Sequence, residues 1–263
     1  MGSAYDATML DIDAYLDRIG MTARPTIDLA GLTQLQRGHM SHVPFENLDV
    51  FDRVPVTTGL EHSIPKIVEH SRGGWCFEVN GAFSALLDAL GFDVSLLGAA
   101  VLLDGPSVVI DHATIEVNLD NTAYLVDVGF GDSFATPLEI NRAGPQDGHV
   151  GTFEFIPSSQ GLTLTRHDGS GVPEPQYRFK RTVRTIDEFA TASDTLWTDT
   201  SLHWSQKPFA TRLVDGGPSR ITLLKDRLKR TTPDGESEVP VAIGDWNAVL
   251  RDNFGIERPS GSR

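Results

Sequence analysis

The stretch Ser71-Arg72-Gly73-Gly74-Trp75-Cys76-Phe77-Glu78-Val79-Asn80 contains the only cysteine of the 263-residue sequence. Two glycines precede the cysteine, and glycine lets the main chain turn sharply and approach other groups closely. A helical pattern follows, because apolar residues recur three and four positions apart up to a glycine cap at Gly91. Cys76 is therefore predicted at a helix N-terminus, where unpaired N–H groups and the positive end of the helix dipole favour a thiolate. The alternative is an inert buried cysteine, since free cysteines are among the most buried residues.

The net charge and the lengths of the apolar runs limit the partners that we expect. Lys and Arg total 22 and Asp and Glu total 36, so the formal net charge is −14. Binding nucleic acid needs a basic surface, so we expect no nucleic-acid partner. We also expect no membrane partner, because no apolar run approaches the length of a membrane span. A single cysteine cannot form an internal disulfide, and we find no secretion signal, which together favour a cytoplasmic location.

The order of predicted elements divides the chain. Helical patterns at about 9–19, 28–40 and 64–70 precede the cysteine helix. From Val94 onward, short β-branched segments alternate with turn residues, which is typical of an antiparallel sheet or barrel. The predicted strands are 94–103, 108–119, 122–129, 150–156, 161–166, 176–184, 209–214, 219–224 and 226–231, and further helices are expected from 186 to 197 and from 242 to 255.

A nucleophilic cysteine needs a base within hydrogen-bonding reach and a third group that orients this base. The segments 112–119 and 122–128 alternate in polarity around Asp120-Asn121, an acceptable two-residue hairpin turn. Paired residues should then have numbers that sum to about 241. In that register His112 and Asp127 are diagonal neighbours on one face, within side-chain reach. We expect Asp127 to accept the Nδ1 proton and to leave Nε2 for the thiol. A structural His–Asp pair is the alternative.

Other motifs predict little chemistry. His39 and His42 are three residues apart, but no cluster of cysteines or carboxylates completes a metal site, so no metal is expected. The sequence contains no phosphate-binding glycine loop or dinucleotide fingerprint. The basic residues between Lys225 and Arg230 are expected on a solvated edge strand, with contact to a polyanionic cofactor as the alternative.

Four segments, in order, resemble the arylamine N-acetyltransferase family. They are 43–48 (VPFENL), 72–80 (RGGWCFEVN), His112 and 124–131 (YLVDVGFG). The resemblance implies an α+β fold with an N-terminal helical bundle (1–92), a central antiparallel β-barrel (93–200) and a C-terminal α/β lid (201–263). It also implies a triad arranged as in cysteine proteases.

The resemblance assigns Cys76 as nucleophile, His112 as base and Asp127 as the residue that orients the base. It implies ping-pong transfer of an acetyl group from acetyl-coenzyme A, a co-substrate, to the nitrogen of arylamines or arylhydrazines. A role in xenobiotic metabolism belongs to the same expectation. The resemblance leaves open whether the protein is a monomer or a homodimer.

Further residues of these motifs receive supporting roles. We expect Glu46 and Arg72 to form a buried ion pair that braces the cysteine loop, with separate surface contacts as the alternative. Three phenylalanines are expected to line an aromatic slot or to pack in the core: Phe45, Phe77 and Phe130.

The resemblance also has consequences at two glycines and at one departure. Gly129 and Gly131 would let coenzyme A approach the main chain closely. Where the family usually has threonine before the histidine, this sequence has Asp111. Its carboxylate should disfavour an anion near the base and raise the pKa of the histidine.

Three other functions remain open at this point. An amide synthase acting on a carrier-bound polyketide thioester would use the same triad with an arylamine nucleophile. A papain- or transglutaminase-like hydrolase shares the triad but has a different reaction. A binding module with an inert cysteine would use none of this chemistry.

Overall fold

The structure of the protein, a computed structural model, describes residues 10–167 and 172–258. The described part of the N-terminal region is mainly helical. Its helices are α1 (Ile12–Arg18), α2 (Leu29–His42), α3 (Leu48–Asp52), α4 (Leu60–Val68) and α5 (Cys76–Leu90), and a two-residue strand, β1 (Phe45–Glu46), lies between α2 and α3. The side chains of Asp11 and Asp28 cap α1 and α2 by accepting main-chain N–H bonds. Helix α3 was not predicted, because five residues are too few to show a period.

Helix α5 confirms the predicted element around Cys76. It ends at Gly91, which has the left-handed dihedral φ 97° that the cap requires. At its start, the Glu78 side chain accepts the Trp75 N–H at 3.2 Å. Most of the helix is buried, with Phe83, Leu86 and Leu87 inaccessible to solvent. Helix α5 therefore passes through the core and presents Cys76 at its first residue.

The central strands form an antiparallel sheet that nearly closes into a barrel. Among the described residues it contains β2 (Asp93–Val101), β3 (His112–Leu119), β4 (Thr122–Val126), β5 (Leu138–Glu139), β6 (Gln146–Asp147), β7 (Thr152–Ser158), β8 (Gly161–His167) and β9 (Pro173–Arg184), in the order β5-β4-β3-β2-β9-β8-β7-β6. The Gln146 side chain links the two outermost strands, because its amide accepts the Glu139 N–H and donates to the Glu139 carbonyl, both at 2.9 Å. The gap between the edges is thus bridged by a side chain rather than by a strand ladder.

The hairpin of β3 and β4 has the predicted turn and register. Asp120 and Asn121 both have positive φ, 48° and 67°, as a type I′ turn requires. Ile115 pairs with Val126, so the paired numbers sum to 241 as expected. These two residues pack against the helices. The ladder ends there, which places His112 and Asp127 just beyond it.

A second sheet follows the barrel. After β9 come a 3₁₀ turn (Ile186–Phe189), α6 (Ala190–Thr198), a second 3₁₀ turn (His203–Ser205), β10 (Ala210–Leu213), β11 (Arg220–Leu223), β12 (Arg227–Thr232), β13 (Gly235–Pro240) and α7 (Trp246–Phe254). The sheet order is β1-β10-β11-β12-β13. Trp246, Leu250 and Phe254 of α7 pack on Ala210 and Ile221.

The pairing of strands in this second sheet bears on two expectations. The prediction that the basic cluster lies on an edge strand is wrong. Strand β12 is internal, because β13, which was not predicted, pairs with its outer edge. Lys229 on β12 also forms an ion pair of 2.6 Å with Glu236 on β13. Strand β1 comes from the N-terminal region but pairs with β10, so the division at 1–92, 93–200 and 201–263 stays a prediction.

The helices, the barrel-like sheet and the C-terminal sheet with its helix confirm the predicted α+β class. No helix within residues 10–167 and 172–258 is both long and apolar enough to cross a membrane.

Candidate active site

The glycines before Cys76 lie directly against β1. A Cβ on Gly73 would stand 1.7 Å from the Pro44 carbonyl oxygen, a distance no side chain can occupy. Gly74 forms a parallel bridge with Phe45, and the Glu46 N–H donates to the Gly74 carbonyl at 3.0 Å. Gly73 is therefore required by the close contact that joins the cysteine loop to β1, whereas a Cβ on Gly74 would meet the Glu78 side chain at 2.5 Å.

The structure brings Cys76, His112 and Asp127 together. Cys76 is 7% exposed, and its Sγ lies 3.9 Å from the Asp111 carbonyl oxygen. The Cys76 side chain lies close enough to His112 to raise the pKa of the imidazole. The Nε2 atom of the ring lies 2.7 Å from Asp127 Oδ2. The three predicted side chains thus meet in one buried site.

The orientation of the ring differs from the expectation. We expected Asp127 to bind Nδ1, whereas the carboxylate binds Nε2 and leaves Nδ1 for the thiol. The reason is the position of the thiol. Cys76 lies beside the main chain at the start of β3, as its contact with the Asp111 carbonyl shows, and Nδ1 is the ring nitrogen closer to the main chain.

Charges around the imidazole favour its protonated form. Burial opposes protonation, but the charge and hydrogen bond of Asp127, together with those of Cys76, outweigh it and raise the pKa of His112 to about 10. Burial likewise disfavours the Asp127 carboxylate, yet the positive charge on His112 and several hydrogen bonds hold the pKa of Asp127 below its ordinary value. The arrangement therefore stabilises an imidazolium next to a carboxylate at neutral pH.

The Asp127 carboxylate is buried, and both of its oxygens accept hydrogen bonds. Its Oδ1 accepts from Asn80 Nδ2 and from the Gly129 N–H, each at 2.9 Å. Its Oδ2 accepts from the Tyr177 hydroxyl at 2.9 Å in addition to His112. A buried carboxylate with four donors is rigidly oriented, so it can hold the imidazole in one position.

Sequence reasoning assigned no role to Asn80 or Tyr177. Asn80 also donates to the Ala113 carbonyl at 2.7 Å and accepts from the Val128 N–H at 2.9 Å, so it connects α5 to both strands of the hairpin. A signal for Asn80 existed, because a residue four positions after Cys76 lies on the same helix face. No local signal could reveal Tyr177, which reaches the site from β9.

The predicted ion pair of Glu46 and Arg72 is present and belongs to a larger network. Arg72 Nε and Nη2 bind Glu46 Oε1 at 2.9 and 2.7 Å, and Nη2 also binds Asp49 at 2.9 Å. Lys66 then joins Asp49 to Glu78, with both distances 2.7 Å. Two cations and three carboxylates thereby connect β1, α3, α4 and the first turn of α5, which anchors the loop that carries Cys76.

Cys76 and His112 lie in the wall of a cavity of about 370 Å³. Two predicted aromatic residues line it, Phe45 and Phe130, as do Asp111 and Gly129. Its remaining apolar lining is Trp75, Val101, Leu103, Pro106, Leu196, Leu202, Trp204 and Phe209. The cavity is thus mainly apolar and aromatic, with the thiol at its wall.

Phe77 does not line this cavity, although a role in binding substrate was expected. It is fully buried, and its ring lies 5.4 Å from that of Phe189 and 6.0 Å from that of Trp75. Successive residues of a helix point about 100° apart, so Phe77 faces away from the side on which Cys76 meets the cavity. Of the two alternatives for this ring, core packing is the one observed.

The two glycines after Asp127 occupy different positions. A Cβ on Gly129 would approach Cys76 Cα and Asn80 Nδ2 to 2.8 Å, so glycine is needed there for the loop to lie on the start of α5. Gly131 has φ +85° and lines a neighbouring cavity of about 480 Å³. Both cavities are lined by Phe45 and Phe130.

The neighbouring cavity has a different character. Lys207, Lys225 and Arg227 line it, together with Asp132 and Asp226. Arg227 is paired with Asp226 at 2.7 Å and with Glu238 at 3.0 Å. Within the part of the chain that the structure describes, the two lysines form no ion pair.

Asn47 holds the segment 204–209, in which Trp204 and Phe209 line both cavities. The amide of Asn47 donates to the carbonyls of Trp204 and Lys207, the latter at 2.9 Å, and accepts the Phe209 N–H at 2.8 Å. These three hydrogen bonds connect the start of α3 to the segment that precedes β10. Across the described residues, no three of His, Cys, Asp and Glu are placed to hold a metal ion.

The chain is similar to known proteins in both sequence and fold. A protein-family profile described as N-acetyltransferase matches residues 28–260. The chain is 32% identical to the arylamine N-acetyltransferase pineal gland isozyme NAT-3 of Gallus gallus, over 94% of each chain. It is 30% identical to arylamine N-acetyltransferase 1 of Homo sapiens, over 79% of each. Among solved structures, the Mycobacterium marinum arylamine N-acetyltransferase in complex with CoA superposes with a TM-score of 0.85 at 27% identity, over 94% of this chain and 93% of the other.

Proposed function

The chain belongs to the arylamine N-acetyltransferase family, and from that premise we propose that it transfers an acetyl group from acetyl-coenzyme A to the nitrogen of arylamines or arylhydrazines. The observation that supports this most directly is the buried contact chain of Cys76, His112 and Asp127 at the wall of an aromatic cavity. A thiol, a base and an orienting carboxylate are the groups that acyl transfer requires.

In the first half-reaction, the Cys76 thiolate attacks the thioester carbonyl carbon and forms a new S–C bond. The His112 imidazolium donates its proton to the departing coenzyme A sulfur as the original S–C bond breaks. Free coenzyme A leaves, and the acetyl group remains on Cys76. We expect the unpaired main-chain N–H groups at the start of α5 to stabilise the developing oxyanion.

In the second half-reaction, the arylamine enters the same cavity. Its nitrogen lone pair attacks the acetyl-cysteine carbonyl, and the neutral His112 accepts the N–H proton. The C–S bond breaks, the N-acetylated product leaves, and the thiolate–imidazolium pair is restored. Asp127 stabilises each imidazolium state without taking the proton. Because both substrates use one thiol in turn, the kinetics are ping-pong.

The residues present suit coenzyme A as the donor. Its pyrophosphate and phosphate groups are anions, and Lys207 and Lys225 line the cavity that adjoins the thiol. We expect the pantetheine arm to lie along the aromatic residues that line both cavities, Phe45, Phe130, Trp204 and Phe209, and to reach Cys76 from there. This local basic surface offsets the overall charge of −14.

We also propose a cytoplasmic setting and a role in handling aromatic amines of xenobiotic origin. A nucleophilic thiol must stay reduced, and cytoplasmic thiols are kept reduced by the glutathione and thioredoxin systems. A mainly apolar cavity of about 370 Å³ accepts an aromatic ring by shape and polarity rather than by a dedicated set of polar contacts.

The comparisons do not favour the competing amide synthase, since the relatives described above are named arylamine N-acetyltransferases. The hydrolase and the binding module make different predictions in the same experiment. A hydrolase would lose the acyl group to water without an amine, and a binding module would form no acyl-enzyme.

The experiment is intact-protein mass spectrometry after mixing with acetyl-coenzyme A. We expect a mass gain of one acetyl group located at Cys76, absent from Cys76→Ala and discharged by aniline to acetanilide. His112→Gln should slow acetylation by about 10²- to 10⁴-fold, the usual contribution of a general acid–base group. A wild-type protein that stays unmodified, or whose acetyl group is not transferred to aniline, would contradict the proposal.

A further inference from the structure

The charged residues around the thiol are unevenly distributed between the two cavities. Within the described chain, the cavity that holds Cys76 is lined by two carboxylates, Asp104 and Asp111, and by no lysine or arginine. The neighbouring cavity is lined by Lys207, Lys225 and Arg227 as well as by Asp132 and Asp226. Positive side chains are therefore present on the donor side and absent from the lining of the side that receives the acceptor.

Asp111 is the carboxylate that directly precedes His112 and interacts with its charge. The main-chain oxygen of Asp111 lies 3.9 Å from Cys76 Sγ. Its Oδ1 accepts the Val101 N–H at 2.9 Å, which fixes the side chain at the cavity wall. Burial raises the pKa of Asp111 above its ordinary value, and the hydrogen bond from Val101 and the charge on His112 offset only part of this rise.

The one group in this cavity that can carry a positive charge is neutral when the acceptor binds. In the acetyl-enzyme His112 has given its proton to the departing coenzyme A, and its Nε2 stays 2.7 Å from Asp127. The imidazole therefore offers no positive charge to a carboxylate on an incoming arylamine. Such a substrate would meet Asp104 and Asp111 without a compensating cation.

From this arrangement we propose that Asp111, assisted by Asp104, selects against arylamines that carry a carboxylate and favours neutral or cationic acceptors. The selection is electrostatic and acts on acceptor binding. It rests on the proposed acetyl transfer, which it deepens by naming the substrate class. Asp104, which is exposed on the loop after β2, acts at the entrance, and Asp111 acts beside the reacting atoms.

The experiment uses three acceptors with one reacting amine and different charges. They are 4-aminobenzoate (anionic), 4-aminobenzamide (neutral) and 4-aminobenzyl-trimethylammonium (cationic). For each, kcat/KM is measured in wild type, in Asp111→Asn, in Asp104→Asn and in the double variant that carries both substitutions. Asparagine keeps an oxygen that can accept the Val101 N–H. The ratio of kcat/KM values for two acceptors is then compared between proteins, which cancels the intrinsic reactivity of each amine.

We expect the ratio of anionic to neutral acceptor to rise by about tenfold when both carboxylates are replaced, since each like charge near the cavity costs a few-fold in affinity. Asp111→Asn should give the larger part. The ratio of cationic to neutral acceptor should fall in the same variants. In wild type, added salt should bring the three acceptors closer together, because ions screen the interaction.

The control is Asp234→Asn, which makes the same change of net charge on the exposed turn between β12 and β13. It should leave every ratio as in wild type. A change of less than about threefold in the double variant, or an equal change in the control, overturns the inference. If the double variant does not fold, the exposed Asp104→Asn and the single Asp111→Asn decide. Failure of acetyl transfer itself would appear separately, as the absence of acetyl-Cys76 and of product from all three amines.

Discussion

Replacing Asn80 by aspartate tests the contact between α5 and the orienting carboxylate. The substitution changes an amide to a carboxyl group of the same size. It keeps the acceptor for the Val128 N–H but removes the donors to the Ala113 carbonyl and to Asp127 Oδ1. It also places a second carboxylate 2.9 Å from the first, in a fully buried position.

The size of the effect follows from these distances. Two unit charges about 3 Å apart repel by about 5 kcal/mol at an effective dielectric constant of about 20. Protonating a carboxyl group of ordinary pKa at pH 7 costs about 4 kcal/mol, which is less, so one of the pair takes up a proton. We therefore expect Asn80→Asp to lower the free energy of unfolding by about 4 kcal/mol at pH 7 and by about 1.4 kcal/mol less for each pH unit below that.

The assay is urea unfolding of wild type, Asn80→Asp and Asn80→Ala at pH 5, 6 and 7. Alanine loses the same two donors and also the acceptor for the Val128 N–H, but it adds no charge. Its cost should therefore be about 3–5 kcal/mol and should not change over this range. If the two variants lose the same stability at all three pH values, the reasoning about the paired carboxylates is wrong.

Two further results are expected. Tyr177→Phe removes one donor to the Asp127 carboxylate and should lower the free energy of unfolding, measured with urea, by about 1.5–3 kcal/mol. The control Tyr124→Phe, on β4, should lower it by less than about 0.5 kcal/mol. Equal losses would show that the Tyr177 hydroxyl does not stabilise the fold. The pKa of His112 is raised to about 10 in the folded state from an ordinary 6.5, so above pH 6.5 only the native state holds this proton. The contribution of the proton to the free energy of unfolding is therefore complete below pH 6.5 and is lost as the pH rises toward 10. In Cys76→Ala, where the thiol adds no titration and the pKa of His112 stays raised by Asp127, the free energy of unfolding should fall by up to about 1.4 kcal/mol per pH unit above pH 6.5, and a flat profile would contradict the imidazolium.

The hairpin and the cysteine helix could be predicted because local rules determine them. Alternation with a period of two, together with a two-residue turn, allows one register for β3 and β4, and that register is observed. The helical period after Cys76 and the glycine at its end likewise locate α5. These features depend on neighbours in sequence, so the sequence by itself determined where the thiol, the imidazole and the carboxylate lie on their elements.

What surrounds these groups was decided only by the tertiary structure. Tyr177 comes from a strand 50 residues beyond Asp127, and Lys66 joins carboxylates that are 29 residues apart in the chain. The ring nitrogen that faces the thiol depends on the side from which α5 approaches β3, which no local pattern encodes. Hydrogen bonds and charges act through space, so the choice of partners, the pKa of His112 and the sign of charge in each cavity depend on packing between elements distant in sequence.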